Sequence, residues 1–207
     1  SKAPIAENLA AAMISLTPWR KDRILVDPFC GSGTIPIEAA MMAANIAPGM
    51  NREFTAHQWE NIIDKKLWYE AVDEANDFMD INVETDIQAF DIDGKIVKSA
   101  RENAKLAGVD HLIHFQERPV SQLNHPKKYG FVITNPPYGE RIMERREAEE
   151  LYRAFGMAWR KFPDSWKLYL LSSHTEFERT FGKQADKKRK LYNGMLKCDL
   201  FMYLGDK

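Results

Sequence analysis

Apolar residues recur along this chain with two different periods, and the elements that these periods predict alternate. Spacings of three and four residues, as between Leu9, Met13 and Leu16, predict amphipathic helices. Such helices are expected at residues 5–16, 35–44, 56–79, 93–107, 147–162 and 177–181. Short apolar runs bounded by polar or turn residues predict strands at residues 23–27, 87–91, 112–116, 130–134, 166–172, 189–192 and 198–204.

Alternation of strands with helices is typical of a parallel sheet that is covered by helices on both faces. We therefore predict one α/β domain, a doubly wound, Rossmann-like fold with seven strands, most of them parallel. The Asn193-Gly194 pair lies between the last two apolar runs and predicts a hairpin that adds an antiparallel strand at the sheet edge. Residues 45–82 are expected to form a helical insertion after the first helix of the α/β unit. No repeat or Gly/Ser-rich linker divides the chain.

Formal charges nearly balance in the 207-residue chain, with 29 Lys and Arg against 30 Asp and Glu. The net charge of −1 argues against a protein that holds nucleic acid by charge alone, because phosphate neutralisation needs a basic excess. A hydrophobic fraction of 44% excludes a disordered charged tail. No apolar run approaches the roughly 20 residues that span a bilayer, so we expect no membrane segment. Two cysteines, Cys30 and Cys198, are too few for a disulfide framework or a cysteine metal site, which favours a reducing, cytoplasmic location.

A strand, a glycine turn and a helix follow one another at residues 23–44. Gly31 and Gly33 allow a tight turn in which the backbone approaches a ligand at the amino end of a helix. Dinucleotide loops place a third glycine where Pro36 stands, and triphosphate loops need a lysine after the last glycine. Neither pattern is matched, and an ordinary turn remains the alternative.

Asp91 ends the next strand, where a carboxylate could accept hydrogen bonds from both ribose hydroxyls of a nucleoside. The alternative is an aspartate that caps the turn or helix that follows. Ribose recognition without a phosphate cradle favours a nucleoside cofactor such as S-adenosylmethionine.

A second candidate site follows the strand at residues 130–134, in the tetrapeptide Asn135-Pro136-Pro137-Tyr138. Two prolines fix two φ angles and remove two N–H donors, which leaves stiff backbone carbonyls as acceptors. Asn135 adds a side-chain carbonyl, and Tyr138 adds a ring on which a flipped base could stack. Two acceptors on the hydrogens of an exocyclic amine would favour a pyramidal nitrogen that attacks a sulfonium methyl in line. The alternative is a rigid proline turn without chemistry.

Together, residues 27–34 and 135–140 resemble the amino-methyltransferase branch of the class I S-adenosylmethionine-dependent enzymes. Further segments resemble the RNA methylase family that includes the large-subunit ribosomal RNA (guanine-N2)-methyltransferases; they are residues 2–11, 35–40 and 46–49 with Arg52, Phe54 and Trp59. The resemblance extends over nearly the whole chain. It implies that residues 1–207 are a catalytic domain that methylates the exocyclic amino group of a base in RNA, first of all guanine N2 in 23S ribosomal RNA.

The resemblance also implies a role for each position of these motifs. The cofactor would contact Asp27, Pro28, Phe29, Cys30, Gly31, Ser32, Gly33, Thr34, Asp91, Ile92, Glu117 and Asn135, with Asp27, Gly31 and Gly33 around its methionine part. The catalytic loop would comprise Asn135, Pro136, Pro137 and Tyr138, with the target base held by Asn135, Pro136 and Tyr138. The family supplies an aspartate for the adenine amino group where this chain has residues 116–120, so Glu117 or a backbone carbonyl is expected to substitute.

Members of this family usually carry an N-terminal RNA-binding THUMP domain, and the sequence contains none of its features. We therefore expect RNA docking to depend on such a domain, and this chain alone to bind RNA weakly with a shallow salt dependence. Alternatives to guanine N2 of ribosomal RNA are an amino group in tRNA and adenine N6 of DNA or RNA. Outside enzymes, the alternative is a non-catalytic RNA-binding or assembly module.

Other chemistry-bearing residues carry weaker signals. The histidines show no paired-ligand spacing, so we expect no metal site; they are His57, His111, His114, His125 and His174. Lysines and one arginine at residues 183–190 form a dense basic run that could contact RNA phosphates. The alternative, which is commoner for such runs, is a surface that is simply exposed to solvent. Arg141 could contact the substrate backbone. Cys30 is expected to pack as a small residue rather than act as a nucleophile.

Overall fold

Seven strands and six α-helices are found in the computed structural model, which describes residues 4–50, 52–59, 61–140 and 142–205. The strands are β1 (Leu25–Asp27), β2 (Ile87–Asp91), β3 (Ile113–Glu117), β4 (Gly130–Thr134), β5 (Trp166–Ser172), β6 (Lys187–Asn193) and β7 (Leu196–Tyr203). The helices are α1 (Glu7–Ser15), α2 (Thr34–Ala43), α3 (Lys65–Asp77), α4 (Gly94–Leu106), α5 (Ile142–Trp159) and α6 (Phe177–Phe181). Short 3₁₀ turns lie at Thr55–Gln58, Asp110–Leu112 and Val120–Gln122.

All seven strands belong to one sheet with the order β3-β2-β1-β4-β5-β7-β6. The first four neighbouring pairs are parallel, whereas β7 is antiparallel to both β5 and β6. The strand order reverses between β1 and β4, so the loops that follow these two strands open a crevice at the carboxyl edge of the sheet. The predicted Rossmann-like, mostly parallel sheet is confirmed, and both predicted motifs lie at this crevice.

The closing hairpin differs from the prediction in one respect. The antiparallel strand β7 lies inside the sheet, and β6 forms the edge. Burial explains the arrangement, because residues 200–203 of β7 are all buried whereas residues 187–190 of β6 are all exposed. A strand with charged side chains suits a sheet edge, since its charges oppose pairing with further strands.

Side chains of the central strands alternate between two hydrophobic cores, one on each face of the sheet. Leu25 and Ile133 belong to the core that includes α1, α2 and α4. Val26 and Val132 belong to the core that includes α5 and α6. Because helices cover both faces, the central strands are continuous apolar runs.

The segment between α2 and β2 contains less helix than predicted. One helix was expected over residues 56–79, but a 3₁₀ turn and a second turn precede α3. Asp64 sets the start of α3, because its carboxylate accepts a hydrogen bond from the Lys66 backbone N–H at 2.9 Å. No residue of α3 is fully buried. This segment therefore lies on the outside of the fold and contributes little to the core.

Helix α5 begins at Ile142 rather than at residue 147 and ends at Trp159. Strand β3 is shifted by one residue from its predicted bounds and ends at Glu117. Within the described residues, no helix combines the length and the apolar character that crossing a membrane requires.

Candidate active site

The glycine turn after β1 carries the backbone into α2. Gly31 has a φ of +53° and Gly33 a φ of +87°, both in the left-handed region that glycine adopts without steric cost. A Cβ on Gly33 would lie 3.2 Å from the Ala100 Cβ of α4, so this glycine also permits close packing. The Cys30 N–H donates to the Phe90 carbonyl at 2.8 Å and thereby ties the turn to β2.

Asp91, at the end of β2, is joined to the glycine turn by hydrogen bonds. Its Oδ2 accepts the Gly31 N–H at 3.2 Å, and its Oδ1 accepts the Asp93 N–H at 3.1 Å. Asp91 therefore makes the contacts of a turn-capping aspartate, and its role toward ribose stays a prediction. Each carboxylate oxygen keeps a further lone pair for a ligand.

The two motifs line one cavity of about 880 Å³ at the carboxyl edge of the sheet. Of the predicted site residues, its wall contains Asp27, Pro28, Phe29, Cys30, Gly31, Ser32, Thr34, Asp91, Ile92, Asn135, Pro136 and Pro137. Three other predicted residues, Gly33, Glu117 and Tyr138, do not contribute to the wall. The structure thus brings together the glycine turn, Asp91 at the end of β2, and the proline loop (residues 135–138).

Asp27 is buried between the ends of β1 and β4, with 1% of its surface exposed. Its Oδ1 accepts hydrogen bonds from Thr134 Oγ1 at 2.6 Å and from the Phe29 N–H at 3.1 Å. Burial raises the pKa of this carboxyl from 3.8 to about 7; the two hydrogen bonds oppose the rise, and the charge of Asp91 adds to it. Asp27 therefore changes its charge near neutral pH.

Tyr138 is not the open stacking surface that the sequence predicted. Its ring belongs to the core and is 2% exposed, and its hydroxyl donates a hydrogen bond to Asn135 Oδ1. Asn193, 55 residues further along the chain, places its Nδ2 3.4 Å from the same hydroxyl. Burial raises the pKa of the phenol, so Tyr138 stays a neutral donor. Tyr138 therefore orients the Asn135 side chain, whose carbonyl oxygen keeps one lone pair for another donor.

A buried network behind the loop holds the Pro137 carbonyl. Tyr152 of α5 donates its hydroxyl to this carbonyl at 2.5 Å, and the same hydroxyl lies 3.0 Å from Ser172 Oγ at the end of β5. The His174 N–H donates to the Ser172 oxygen at 3.1 Å. Sequence reasoning missed this network, because an aromatic residue at an inward position of a helix is typical of a core.

Glu117 does not reach the cavity. Its carboxylate lies against Gly94 at the start of α4, where the missing Cβ leaves room for it. Residues 119–121 form the cavity wall after β3 instead. Glu117 thus lies beside the α4 residues of the wall without contributing to it, and the adenine contact expected of Glu117 or a backbone carbonyl stays a prediction.

The cavity wall also contains residues that the sequence does not mark as functional. They come from the segment before α1, the amino ends of α2 and α4, the turn after β3 and the middle of α5, and are Pro4, Ile5, Ile35, Asp93, Lys95, Ile96, Ser99, Pro119, Val120, Ser121, Leu151 and Ala154. Their patterns fit ordinary helix or loop positions, so no signal in the sequence distinguishes them. Several are apolar, and they enlarge the hydrophobic part of the wall.

The structure gives none of the cysteines or histidines a role in the proposed chemistry, within the residues that it describes. Cys30 and Cys198 are free and buried, and burial raises the pKa of the Cys30 thiol, which opposes a nucleophilic role. In the part of the chain that the structure describes, no group of three or more His, Cys, Asp or Glu could hold a metal ion. Arg141 and the side chain of His57 lie outside the described residues.

Comparison with known proteins relates this geometry to a family. Residues 1–201 match the family model described as UPF0020, RMKL-like, methyltransferase domain. The chain is 45% identical over 201 residues to "Putative RNA methyltransferase YpsC" of Bacillus subtilis (strain 168), a match that covers 97% of this chain and 52% of that protein. It is 41% identical over 207 residues to "Ribosomal RNA large subunit methyltransferase K/L" of Shewanella baltica (strain OS185), which covers 98% of this chain and 29% of that protein.

Among solved structures, SMU.472 complexed with SAH has the same fold. It is 42% identical with a TM-score of 0.93, and the match covers 100% of this chain and 54% of that one. This chain thus spans about half the length of YpsC and of SMU.472, and under a third of the Shewanella protein. Since the family model matches all but the last few residues, the chain belongs to the RMKL-like methyltransferase domain family.

Proposed function

We propose that this chain transfers a methyl group from S-adenosylmethionine to the exocyclic amino group of a base in RNA, with guanine N2 of 23S ribosomal RNA as the target. The observation that carries the proposal is the single cavity that joins Asp91 to the loop at residues 135–137. Two relatives support the substrate class, since one is named as an RNA methyltransferase and the other as a ribosomal RNA large subunit methyltransferase.

One end of the cavity fits a nucleoside with a charged amino-acid tail. Asp91 offers carboxylate lone pairs to ribose hydroxyls, and Ile92 offers an apolar surface to the adenine ring. The free N–H groups at the start of α2 suit the carboxylate of the tail, and the charged form of Asp27 suits its ammonium group. S-adenosylmethionine supplies a methyl carbon bonded to a positively charged sulfur.

The proline loop acts on the amine that receives the methyl group. An aromatic exocyclic amine is a poor nucleophile, because its lone pair is delocalised into the ring. In the proposal, Asn135 Oδ1 and the Pro136 carbonyl each accept one of its N–H groups, which favours a pyramidal nitrogen with a directed lone pair. Tyr138 keeps Asn135 in place through its hydrogen bond. The nitrogen forms its bond to the methyl carbon as the carbon–sulfur bond breaks, and the sulfur leaves as a neutral thioether. The methylated amine then loses one proton to water, so the loop needs no strong base.

Calorimetric titration with S-adenosylmethionine tests the enzyme proposal. We expect the wild type to bind, and Asp91→Ala to bind at least about tenfold more weakly because it loses charged acceptors for ribose. Asp73→Ala, which removes an exposed carboxylate from α3, is the matched control and should bind like the wild type. No binding by the wild type, or equal binding by Asp91→Ala, would contradict the proposal and favour a non-catalytic RNA-binding module.

A further inference from the structure

One edge of the sheet is a basic strand that the proposed chemistry does not use. Strand β6 is outermost, and its residues Lys187, Lys188, Arg189 and Lys190 are all exposed. Lys188 forms an ion pair with Glu178, with 2.7 Å between Nζ and Oε1. For the other three cations, no carboxylate of the described residues lies within 4 Å. These three are therefore free to meet an anionic partner.

Strand β6 leads from these cations to the loop at residues 135–138. Asn193 ends the strand at the carboxyl edge of the sheet, where its Nδ2 lies 3.4 Å from the Tyr138 hydroxyl. Lys190 precedes Asn193 by only about 10 Å at the usual rise of a strand. The hairpin tip adds Tyr192, which is 58% exposed, and Met195, which is fully exposed. Because side chains of a strand alternate, Lys187 and Arg189 project to the same face as Asn193, and Lys190 and Tyr192 project to the other face. Basic side chains therefore lie on both faces of the edge strand that ends beside the Tyr138–Asn135 pair.

We propose that the β6 edge and the hairpin tip bind the single-stranded RNA that flanks the target base. The cations would contact phosphates, and the exposed ring of Tyr192 would stack on a neighbouring base. This inference rests on the proposed function. Sequence-specific proteins contact RNA mainly where bases are unpaired, so the RNA beside a target base is expected to be single-stranded. Charge complementarity fits both RNA and an acidic protein. The position beside the loop at residues 135–138 favours RNA, because an acidic protein would explain only the basic residues.

The size of the expected effect follows from counterion release. Each phosphate contact to a single strand contributes about 0.7 to the slope of log K against log salt. Lys187, Arg189 and Lys190 together would contribute about 2, and Asp199, opposite Lys190 in β7, reduces the share of Lys190. Such a slope is shallow, as expected for a chain with a net charge of −1.

The test measures binding of a labelled single-stranded RNA of about 20 nucleotides to the 207-residue chain, between roughly 0.02 and 0.2 M salt. The edge variant combines Lys187→Gln, Arg189→Gln and Lys190→Gln. The control variant removes the same charge from three exposed lysines elsewhere, through Lys21→Gln, Lys98→Gln and Lys128→Gln. We expect the edge variant to lose about 2 from the slope and about tenfold in affinity at low salt, and the control to change far less.

Two further measurements keep the result interpretable. A variant with Lys187→Arg and Lys190→Arg keeps its charge and should keep the slope. S-adenosylmethionine binding should be unchanged in every variant; if the triple edge variant loses it, Lys187→Gln and Arg189→Gln are tested singly, each with an expected loss of about 0.7 from the slope.

An equal slope in the edge and control variants would overturn the docking proposal. So would an absence of RNA binding by the wild type at the lowest salt, or tighter binding of poly-L-glutamate than of RNA. Failure of the proposed function is recognised separately, by calorimetry with S-adenosylmethionine and by methyl transfer to guanine. If the chain binds RNA through β6 but methylates no guanine, the docking proposal stands and the proposed substrate is wrong.

Discussion

At the scale of single residues, the buried carboxyl of Asp27 links the stability of the fold to the cavity. Hydrogen bonds from Thr134 and Phe29 do not offset its burial, so the folded protein retains the proton up to about pH 7. A cationic ligand in the cavity favours the charged carboxylate. We therefore infer that the fold loses stability as the pH rises toward 7, and that the charged carboxylate above this pH is prepared for such a ligand.

Substitution of Asp27 by asparagine tests this coupling. The unfolded chain releases the proton near pH 3.8 and the folded chain near pH 7, so the folded state binds more protons between these values. The free energy of unfolding of the wild type should therefore fall as pH rises through this window, by about 1.4 kcal/mol per pKa unit. Asparagine at position 27 does not titrate in this range. The free energy of unfolding of Asp27→Asn should therefore exceed that of the wild type by an amount that grows up to about pH 7 and then levels off.

Urea unfolding of both proteins across this pH range measures the difference, with Asp73→Asn as a control for an exposed carboxyl. The control should follow the wild type at every pH. Wild-type and Asp27→Asn stabilities that run parallel with pH would show that Asp27 titrates normally and would refute the coupling.

Residue-level prediction succeeded where a backbone motif dictates position. The glycine turn and the prolines determine their own conformation, and both line the cavity as expected. The surroundings of Tyr138 and Glu117 could not be predicted, because the direction of a side chain depends on residues distant in sequence. Asn193 approaches the Tyr138 hydroxyl, and Gly94 leaves room for the Glu117 carboxylate.

At the scale of elements, α5 and β5 hold the proline loop from behind through Tyr152 and Ser172. Tyr152→Phe keeps the ring and its edge-to-face contact with Phe177, with centroids 5.0 Å apart, but removes the hydrogen bond to the Pro137 carbonyl. We expect kcat to fall about tenfold, since small misplacements of a positioning group are costly, and the affinity for S-adenosylmethionine to change little.

Steady-state methylation assays and calorimetry separate these two effects. The control is Tyr169→Phe, which removes another buried phenol from β5 on the opposite face of the sheet. An unchanged kcat in Tyr152→Phe, or an equal loss in the control, would rule out a positioning role for the hydroxyl.

The bounds of helices and strands were predicted best where the residues are buried, because burial shapes the pattern of apolar residues in the sequence. The buried strands β1, β2, β4 and β5 are short apolar runs, and their positions in the sequence were predicted nearly to the residue. The segment at residues 56–79 was predicted as one helix because its apolar residues have helical spacing, yet none of α3 is fully buried. Without a core to pack against, the turn before Asp64 interrupts the helix. The Asn-Gly signal predicts the hairpin but does not tell which of its two strands lies at the sheet edge. That choice follows from the greater burial of β7.

At the scale of the whole molecule, a net charge of −1 conceals an uneven distribution. Four basic residues lie together on β6, while acidic residues are spread over the helices and loops. The charge therefore argues against tight docking of RNA by this chain but permits a local contact beside the loop at residues 135–138. Docking through a further domain stays a prediction, and this chain spans about half the length of YpsC.

Nucleoside mass spectrometry of ribosomal RNA tests the central claim most directly. RNA would be compared from the parent strain, a strain that lacks the gene, and that strain complemented with the wild type or with Asn135→Ala. We predict that N2-methylguanosine decreases in the deletion strain and is restored by the wild type but not by Asn135→Ala, because the proposed mechanism has the Asn135 carbonyl hold the amine. Unchanged nucleosides in the deletion strain, or a loss of N6-methyladenosine in place of N2-methylguanosine, would contradict the account.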